Sequence, residues 1–428
     1  MIRRMQVLHY RGLKYIDVKL SNFQILIGPN ASGKSTFLDV INLIRDILND
    51  GLRPAIEKRS SRFDELIYNQ QGNGFEIALE LEIPEDIKRR LENKDYSFVR
   101  YEISLQLDDE KGFIINNENV WLIKESLKEK EVIQLTIFPA ESKEPEEPES
   151  LITFLTSRTP SEWRGIVYKA SDGFDSFISE TTTKWILGAT TEYKLRLGHL
   201  KSSLAGTPED EEQFPVALWT KNFLMEGVQF LQLNSSLMRW PCRPDTPIAF
   251  QTDGSNLPKV IQHLKKEKPD SFVRWLKHVQ SILSDVEDIE VKEKAEDRSL
   301  YLNILYKNNL ELPSWLISDG TLRLLAQTII AYLPERDRIY MIEEPENGLH
   351  PLAIESVFQS LSSVYDNQVL LATHSPSILS LVKLEDILCF SKTPSGAVDI
   401  INGRDHPKLK DWKKSVDLGT LYAAGVLQ

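Results

Sequence analysis

A chain of 428 residues, 41% hydrophobic and 27% charged, has the composition of an ordinary globular protein and is long enough for one large composite domain or two domains. Its formal net charge of −12 argues against a protein that coats nucleic acid non-specifically, and no apolar run approaches the roughly 18 residues a membrane helix needs. The opening MIRRMQVLHYRGLKY has no apolar core of an export signal, and Cys242 and Cys389 stand far apart without CxxC spacing, so the expectation is a cytoplasmic protein with two buried thiols.

Residues 1–27 read as two strands joined by a turn at YRGLK, the second ending in Ile25, Leu26 and Ile27. The turn GPNASGKS follows, and Phe37, Val40, Ile41, Ile44 and Leu48 then recur at the spacing of a helix packed on a sheet, ended by NDG at 49–51. Gly28-Pro29-Asn30-Ala31-Ser32-Gly33-Lys34-Ser35 fits the G-x-x-x-x-G-K-[ST] phosphate loop in its required place, after a strand and opening a helix. Backbone N–H groups of this loop and the helix N-terminus suit phosphate; Lys34 would bridge β- and γ-phosphates, Ser35 would ligate Mg²⁺ and Thr36 would reach the α-phosphate. A glycine turn with an exposed lysine is the competing reading, and the strand–helix context counts against it.

FEIALELEI (75–83) and YEISLQL (101–107) alternate as two strands, expected to be antiparallel neighbours. From about 115 the rhythm changes. PAESKEPEEPES (139–150) reads as an acidic, solvated loop, and 255–286 as a helix pair broken near Pro269. Neither a sustained heptad nor an internal repeat is present, which excludes a long coiled-coil arm.

Strand–helix alternation returns near 316. WLISDGTLRLL places Ser318, Asp319 and Gly320 at a helix start, an anion site that another subunit's phosphate could use, since it cannot easily share the phosphate held by Lys34. A plain serine cap is the alternative. RIYMIEEPENGLHP delivers Glu343 and Glu344 at the carboxyl end of a buried strand: Glu343 to hold Mg²⁺, Glu344 to orient or deprotonate the attacking water. VLLATHSP ends the next strand in His374, placed to contact a γ-phosphate. Nearly three-quarters of the chain separates Lys34 from Glu344, so one nucleotide-binding core must be split by inserted residues.

Together GPNASGKS, SDGT, IEEPENGLHP and THSP resemble, in order, the Walker A, signature, Walker B plus D-loop and histidine switch of ATP-binding-cassette (ABC) ATPases of the SMC/RecF type. Within that class, YRGLK, DGSNLP (253–258) and the C-terminal DLGTLYAAGVL resemble small stand-alone bacterial ATPases related to the overcoming-lysogenization-defect (OLD) proteins. The resemblance implies an α/β fold, a P-loop core with a mixed sheet of parallel and antiparallel strands. Residues 1–110 and 311–428 would form the core, split by a largely helical insertion at 111–310 that docks a partner or supports a dimer.

It further implies ATP and Mg²⁺ as ligands, a head-to-tail homodimer in which Ser318, Asp319 and Gly320 complete the partner's site, and D-loop roles for Glu346 and Asn347. Glu343 stands where the wider class most often has aspartate. Gln70 and Gln71, in IYNQQGNG, fall where a metal-contacting Q-loop glutamine is expected. Too few residues follow His374 for the Toprim nuclease of the OLD proteins, so the expected role is a switch over a separate effector, such as a nuclease or toxin, in phage defence or DNA maintenance. The alternative is DNA repair on a local basic surface, with Arg11, Lys14 and Lys88-Arg89-Arg90 as candidates; a sensor that barely hydrolyses is a third reading.

Overall fold

The computed structural model describes residues 1–124, 138–139, 147–154, 162–169, 174–181, 192–409 and 416–427. Two compact units are present: one of residues 1–228, 384–412 and 427–428, the other of residues 229–383 and 413–426.

The first unit opens with β1 (Ile2–Tyr10) and β2 (Leu13–Lys19), hairpinned at YRGLK, and β3 (Phe23–Ile27). The expected two strands are therefore three. Ser21 turns the chain between them, its hydroxyl donating to the Phe23 carbonyl at 2.6 Å. After the loop come α1 (Lys34–Asp50) and α2 (Leu52–Glu57), separated by Gly51 at φ +88°. The chain continues through β4 (Gly74–Glu82), α3 (Glu85–Lys88), β5 (Phe98–Asp108), β6 (Gly112–Ile123), β7 (Arg164–Lys169), β8 (Asp175–Ile178), β9 (Glu192–Leu195) and α4 (Pro215–Asn222). An all-antiparallel sheet runs β2-β1-β4-β5-β6-β7-β8-β9, with β4 and β5 neighbours as expected. Strands thus continue past residue 110 to residue 195.

Alternation in β4 and β5 suggests one wet face, but both faces are buried. Phe75, Ile77, Leu79 and Leu81 occupy one side; on the other, Glu80, Arg100 and Glu102 are each under 5% exposed. Residues 150–153 lie across that side and turn its charges into anchors. Leu151 N–H donates to Glu76 at 2.6 Å and Thr153 N–H to Glu102 at 2.8 Å, while Arg100 donates to Glu102 and Gln6 at 2.7 Å each. Buried charge persists only when paired in this way. Ser150 also donates to Glu76, so the end of the acidic 139–150 segment is docked rather than wholly solvated; residues 140–146 lie outside the described residues.

The second unit holds β10 (Val228–Leu231, its first residue in the first unit), α5 (Ser235–Met238), α6 (Leu257–Glu267), α7 (Pro269–Ile282), β11 (Val286–Glu293), β12 (Leu300–Tyr306), β13 (Glu311–Pro313), α8 (Asp319–Ile329), β14 (Ile339–Glu343), α9 (Pro351–Ser362), β15 (Gln368–Ala372) and α10 (Pro376–Leu379). The break between α6 and α7 falls at Lys268, before Pro269, where the missing N–H and fixed φ suit a helix start. β10 flanks β14, β14 pairs in parallel with β15, and β11-β12-β13 form an antiparallel sheet. The chain then returns to the first unit with β16 (Ile387–Lys392), parallel to β3, and β17 (Val398–Asn402), and α11 (Leu418–Ala423) follows in the second. Cys242 and Cys389 are buried, and burial pushes the Cys389 thiol up to about 12.

Candidate functional site

The phosphate loop is shaped by backbone that side chains would spoil. Gly28 sits at φ +149°, and a β-carbon there would come 2.2 Å from the Phe390 carbonyl oxygen. Gly33, at φ +102°, would meet Val398 at 2.5 Å, and Ala31 takes φ +62° between them. β16 and β17 therefore press the loop from behind. Ser32 is buried, and its hydroxyl has no hydrogen-bond partner among the described residues. Lys34 Nζ donates to the Gly28 and Pro29 carbonyls at 2.9 Å each, and Asn30, Ala31 and Ser35 are exposed at the mouth with Thr36 half-buried. The start of α1 has no side-chain cap and no acidic residue in its first turn. An uncapped helix start beneath a glycine loop, with a lysine and a serine, fits a nucleotide's phosphates.

Behind the loop, Asp39 of α1 binds Tyr10 Oη at 2.6 Å, Arg11 at 3.0 Å and Arg59 at 2.7 Å. Arg11 itself takes φ +49°, and its N–H donates to the Leu66 carbonyl at 2.8 Å. An open hollow of about 490 Å³ brings Arg11 together with Asn69, Gln70 and Gln71. Both glutamines are exposed, in a turn where Asn69 and Gln70 have positive φ.

In the second unit, Glu343 ends β14 half-buried, and Glu344 follows, exposed, at φ +48°. Its N–H is pinned to the Ala372 carbonyl of β15 at 2.8 Å, and Asn347 donates its side-chain amide to the Glu344 carboxylate. Glu346 turns the other way: Thr373 Oγ1 donates to it at 2.6 Å and the His374 N–H at 3.3 Å. The segment after the two carboxylates thus ties the end of β14 to the end of β15. His374 is half-buried, with Nδ1 3.0 Å from the Tyr422 hydroxyl.

Ser318 caps α8, its hydroxyl accepting the Thr321 N–H at 3.2 Å, and Asp319 pairs with Arg239 at 2.5 Å. Both residues are exposed. One face of α8 grips the segment after β14: Gly320 packs against Gly348, Arg323 donates to the Asn347 carbonyl at 2.8 Å and Gln327 to the Pro345 carbonyl at 3.1 Å. Glycine at 320 is required by this approach, because a β-carbon would lie 2.6 Å from the Gly348 oxygen.

A cavity of about 410 Å³ adjoins this grip, lined by Gln232, Asn234, Ser235, Arg323, Glu343 and Glu344 among others. Gln232 was not singled out from the sequence. It follows β10, the strand beside β14, and a polar residue directly after the short run VQFL is the signal that could have found it. DGSNLP holds this stretch in place. Gln232 N–H donates to Thr252 and Asn234 N–H to Asp253, at 2.9 Å each, while buried Asn256 donates to the Pro247 and Ala249 carbonyls at 2.9 and 2.7 Å. No cluster of three or more His, Cys, Asp or Glu side chains among the described residues forms a metal cage. Mg²⁺ is commonly held by one or two protein groups together with phosphate oxygens, and the Ser35 hydroxyl in the first unit is a group of that type, as is the Glu343 carboxylate in the second.

Two family models match the chain: AAA ATPase domain over residues 1–188, and AAA domain, putative AbiEii toxin, Type IV TA system over residues 227–380. Among solved structures it is similar to an SMC head bound to the C-winged helix domain of ScpA, at 13% identity and TM-score 0.47 over 94% of this chain and 97% of that one. It is also similar to the SMC head domain from Thermotoga maritima (9% identity, TM-score 0.43, 94% and 98% covered). A third is an Smc head domain with an extended coiled coil bound to the C-terminal domain of ScpA derived from Pyrococcus furiosus (13%, 0.46, 94% and 95%). No curated protein matches this sequence. No helix among the described residues is long and apolar enough to cross a membrane.

Proposed function

We propose that this chain, a P-loop ATPase of the ABC type resembling SMC and RecF proteins, hydrolyses ATP as a head-to-tail homodimer in the cytoplasm and uses its nucleotide state to control a separate effector. Lys34 and the loop from Gly28 to Thr36 bind the phosphates, and Glu344 orients the attacking water and takes its proton. Gln232 and His374 are further phosphate- and water-facing groups. Mg²⁺, when held by Ser35 and Glu343, supplies charge neutralisation on the phosphates.

The observation that carries this reading is the grip of α8 on the segment after Glu344. Ser318 and Asp319 stand exposed at the tip of α8, while Gly320, Arg323 and Gln327 bind residues 345–348, directly beyond the carboxylate. A second copy engaging Ser318 would therefore push on a rigid piece that ends at the proposed base. Exposed Trp315 and Leu316 beside Ser318 suit such a contact.

The family description naming a toxin of a toxin–antitoxin system, matched over residues 227–380, supports a place in defence; in this reading the region 111–310 would be the partner-docking or dimer-supporting surface. The test is ATP turnover and light-scattering mass of the wild type and Glu344→Gln, with copurification from the native host in both nucleotide states. Zero turnover above the Glu344→Gln background, or a monomer under ATP in both proteins, would sink the reading.

A further inference from the structure

We propose that α11 is a clamp on the histidine switch and that Tyr422 is the positioning residue for His374. The inference rests on the reading of His374 as a phosphate-facing group. Three contacts carry it. The Tyr422 hydroxyl lies 3.0 Å from His374 Nδ1, with the tyrosine ring buried at 4% exposure. Gly419, one turn earlier, packs so closely on α10 that a β-carbon would come 2.1 Å from the Pro376 carbonyl oxygen. Asp417 caps α11 by accepting the Thr420 N–H at 3.0 Å and its hydroxyl at 2.7 Å, which fixes the helix that presents Tyr422.

The His374 backbone is already anchored through Glu346, so what α11 adds is control of the ring. A neutral imidazole has one donor nitrogen and one acceptor nitrogen. The contact has either sense, and in the proposed one the tyrosine hydroxyl donates to Nδ1, which leaves the ring proton on Nε2 as a donor to an anion such as a phosphate. Without that hydroxyl Nδ1 loses this contact, and the balance moves towards the other tautomer, whose Nε2 lone pair repels phosphate oxygens. The clamp is distant in sequence from every ATPase motif, so whatever displaces α11 would weaken the switch while leaving the phosphate loop intact.

The experiment is Tyr422→Phe in the full chain, which keeps the buried ring and removes only the hydroxyl. Imidazole ¹⁵N spectra, with the His374 signals assigned by His374→Ala, should show loss of the single Nε2–H tautomer. Turnover should fall about 5- to 10-fold, the effect of one hydrogen bond, with KM for ATP within about twofold and an unchanged melting temperature. Gly419→Val, which drives α11 off α10 by a different route, should reproduce the tautomer and turnover changes. Wild-type spectra and kcat in Tyr422→Phe would overturn the proposal. A tautomer that depends on Tyr422 in a protein without ATP turnover would instead support the clamp and overturn the ATPase reading beneath it.

Discussion

Gly320 and Gly348 meet so closely that a β-carbon on the first would sit 2.6 Å from the carbonyl oxygen of the second. Arg323 completes the contact from one turn further along α8, donating to the Asn347 carbonyl at 2.8 Å. The exposed serine at the helix tip and the carboxylate at the end of β14 therefore belong to one rigid piece. Gly320→Ala must push the two apart, at a cost of about 1–3 kcal/mol for an overpacked contact. Turnover should drop at least about tenfold, the rate equivalent of some 1.4 kcal/mol, while ATP affinity stays within about threefold. Parallel turnover and ATP-titration measurements check this; unchanged turnover would show that the piece is not rigid.

Lys34→Ala should abolish nucleotide binding. The ammonium is buried and held at 2.9 Å by two loop carbonyls, so the lysine is poised over the loop instead of extended into solvent. Loss of a charge-assisted phosphate contact should weaken ATP by about 100-fold or more. Titration calorimetry reads this directly.

Glu344→Gln keeps the shape of the side chain and removes its basicity. Turnover should fall by about 100- to 10,000-fold, the range of general-base catalysis, with ATP still bound. An ATP-dependent dimer should then accumulate in light scattering.

Ser318→Arg places a long cation where a second subunit would have to approach. Turnover should be lost while the monomer still binds ATP. Full turnover in this variant would rule out a shared site.

His406 predicts a pH effect on stability. The ring is 1% exposed against Phe138, and burial, with Lys408 adding to it, pushes its pKa down to about 4. Because the folded value lies below the unfolded value of about 6.5, the folded state prefers the neutral ring. This contribution is complete above pH 6.5 and is lost as pH falls towards 4, by about 3 kcal/mol in all. His406→Phe should flatten that part of a pH series of urea-unfolding midpoints. An unchanged slope would show that another group sets it.

Local chemistry made much of this legible in sequence. The phosphate loop, the carboxylate pair at a strand end and the Ser318 cap are contiguous motifs whose residue types are dictated by their own backbone. Relationships between distant segments were not legible. The polar side of β4 and β5 looks solvent-facing by period, because nothing near it in sequence announces that residues 150–153 will cover Glu76 and Glu102. Gln232 acquires its neighbours only through the placement of β10 beside β14, whereas Gln70 and Gln71 lie beside Arg11 in the first unit. Likewise, the Tyr422 hydroxyl reaches His374 from a helix beyond β16 and β17, a contact set by packing and not by any local pattern.

Glu344 carries one more consequence. At φ +48° it holds a left-handed backbone that costs a side-chain-bearing residue about 1–2 kcal/mol and costs glycine almost nothing. Selection for thermal robustness alone would favour glycine here, and Glu344→Gly should yield a tougher, inert protein. A glutamate proposed as the base at this position thus exchanges durability for turnover at a single residue.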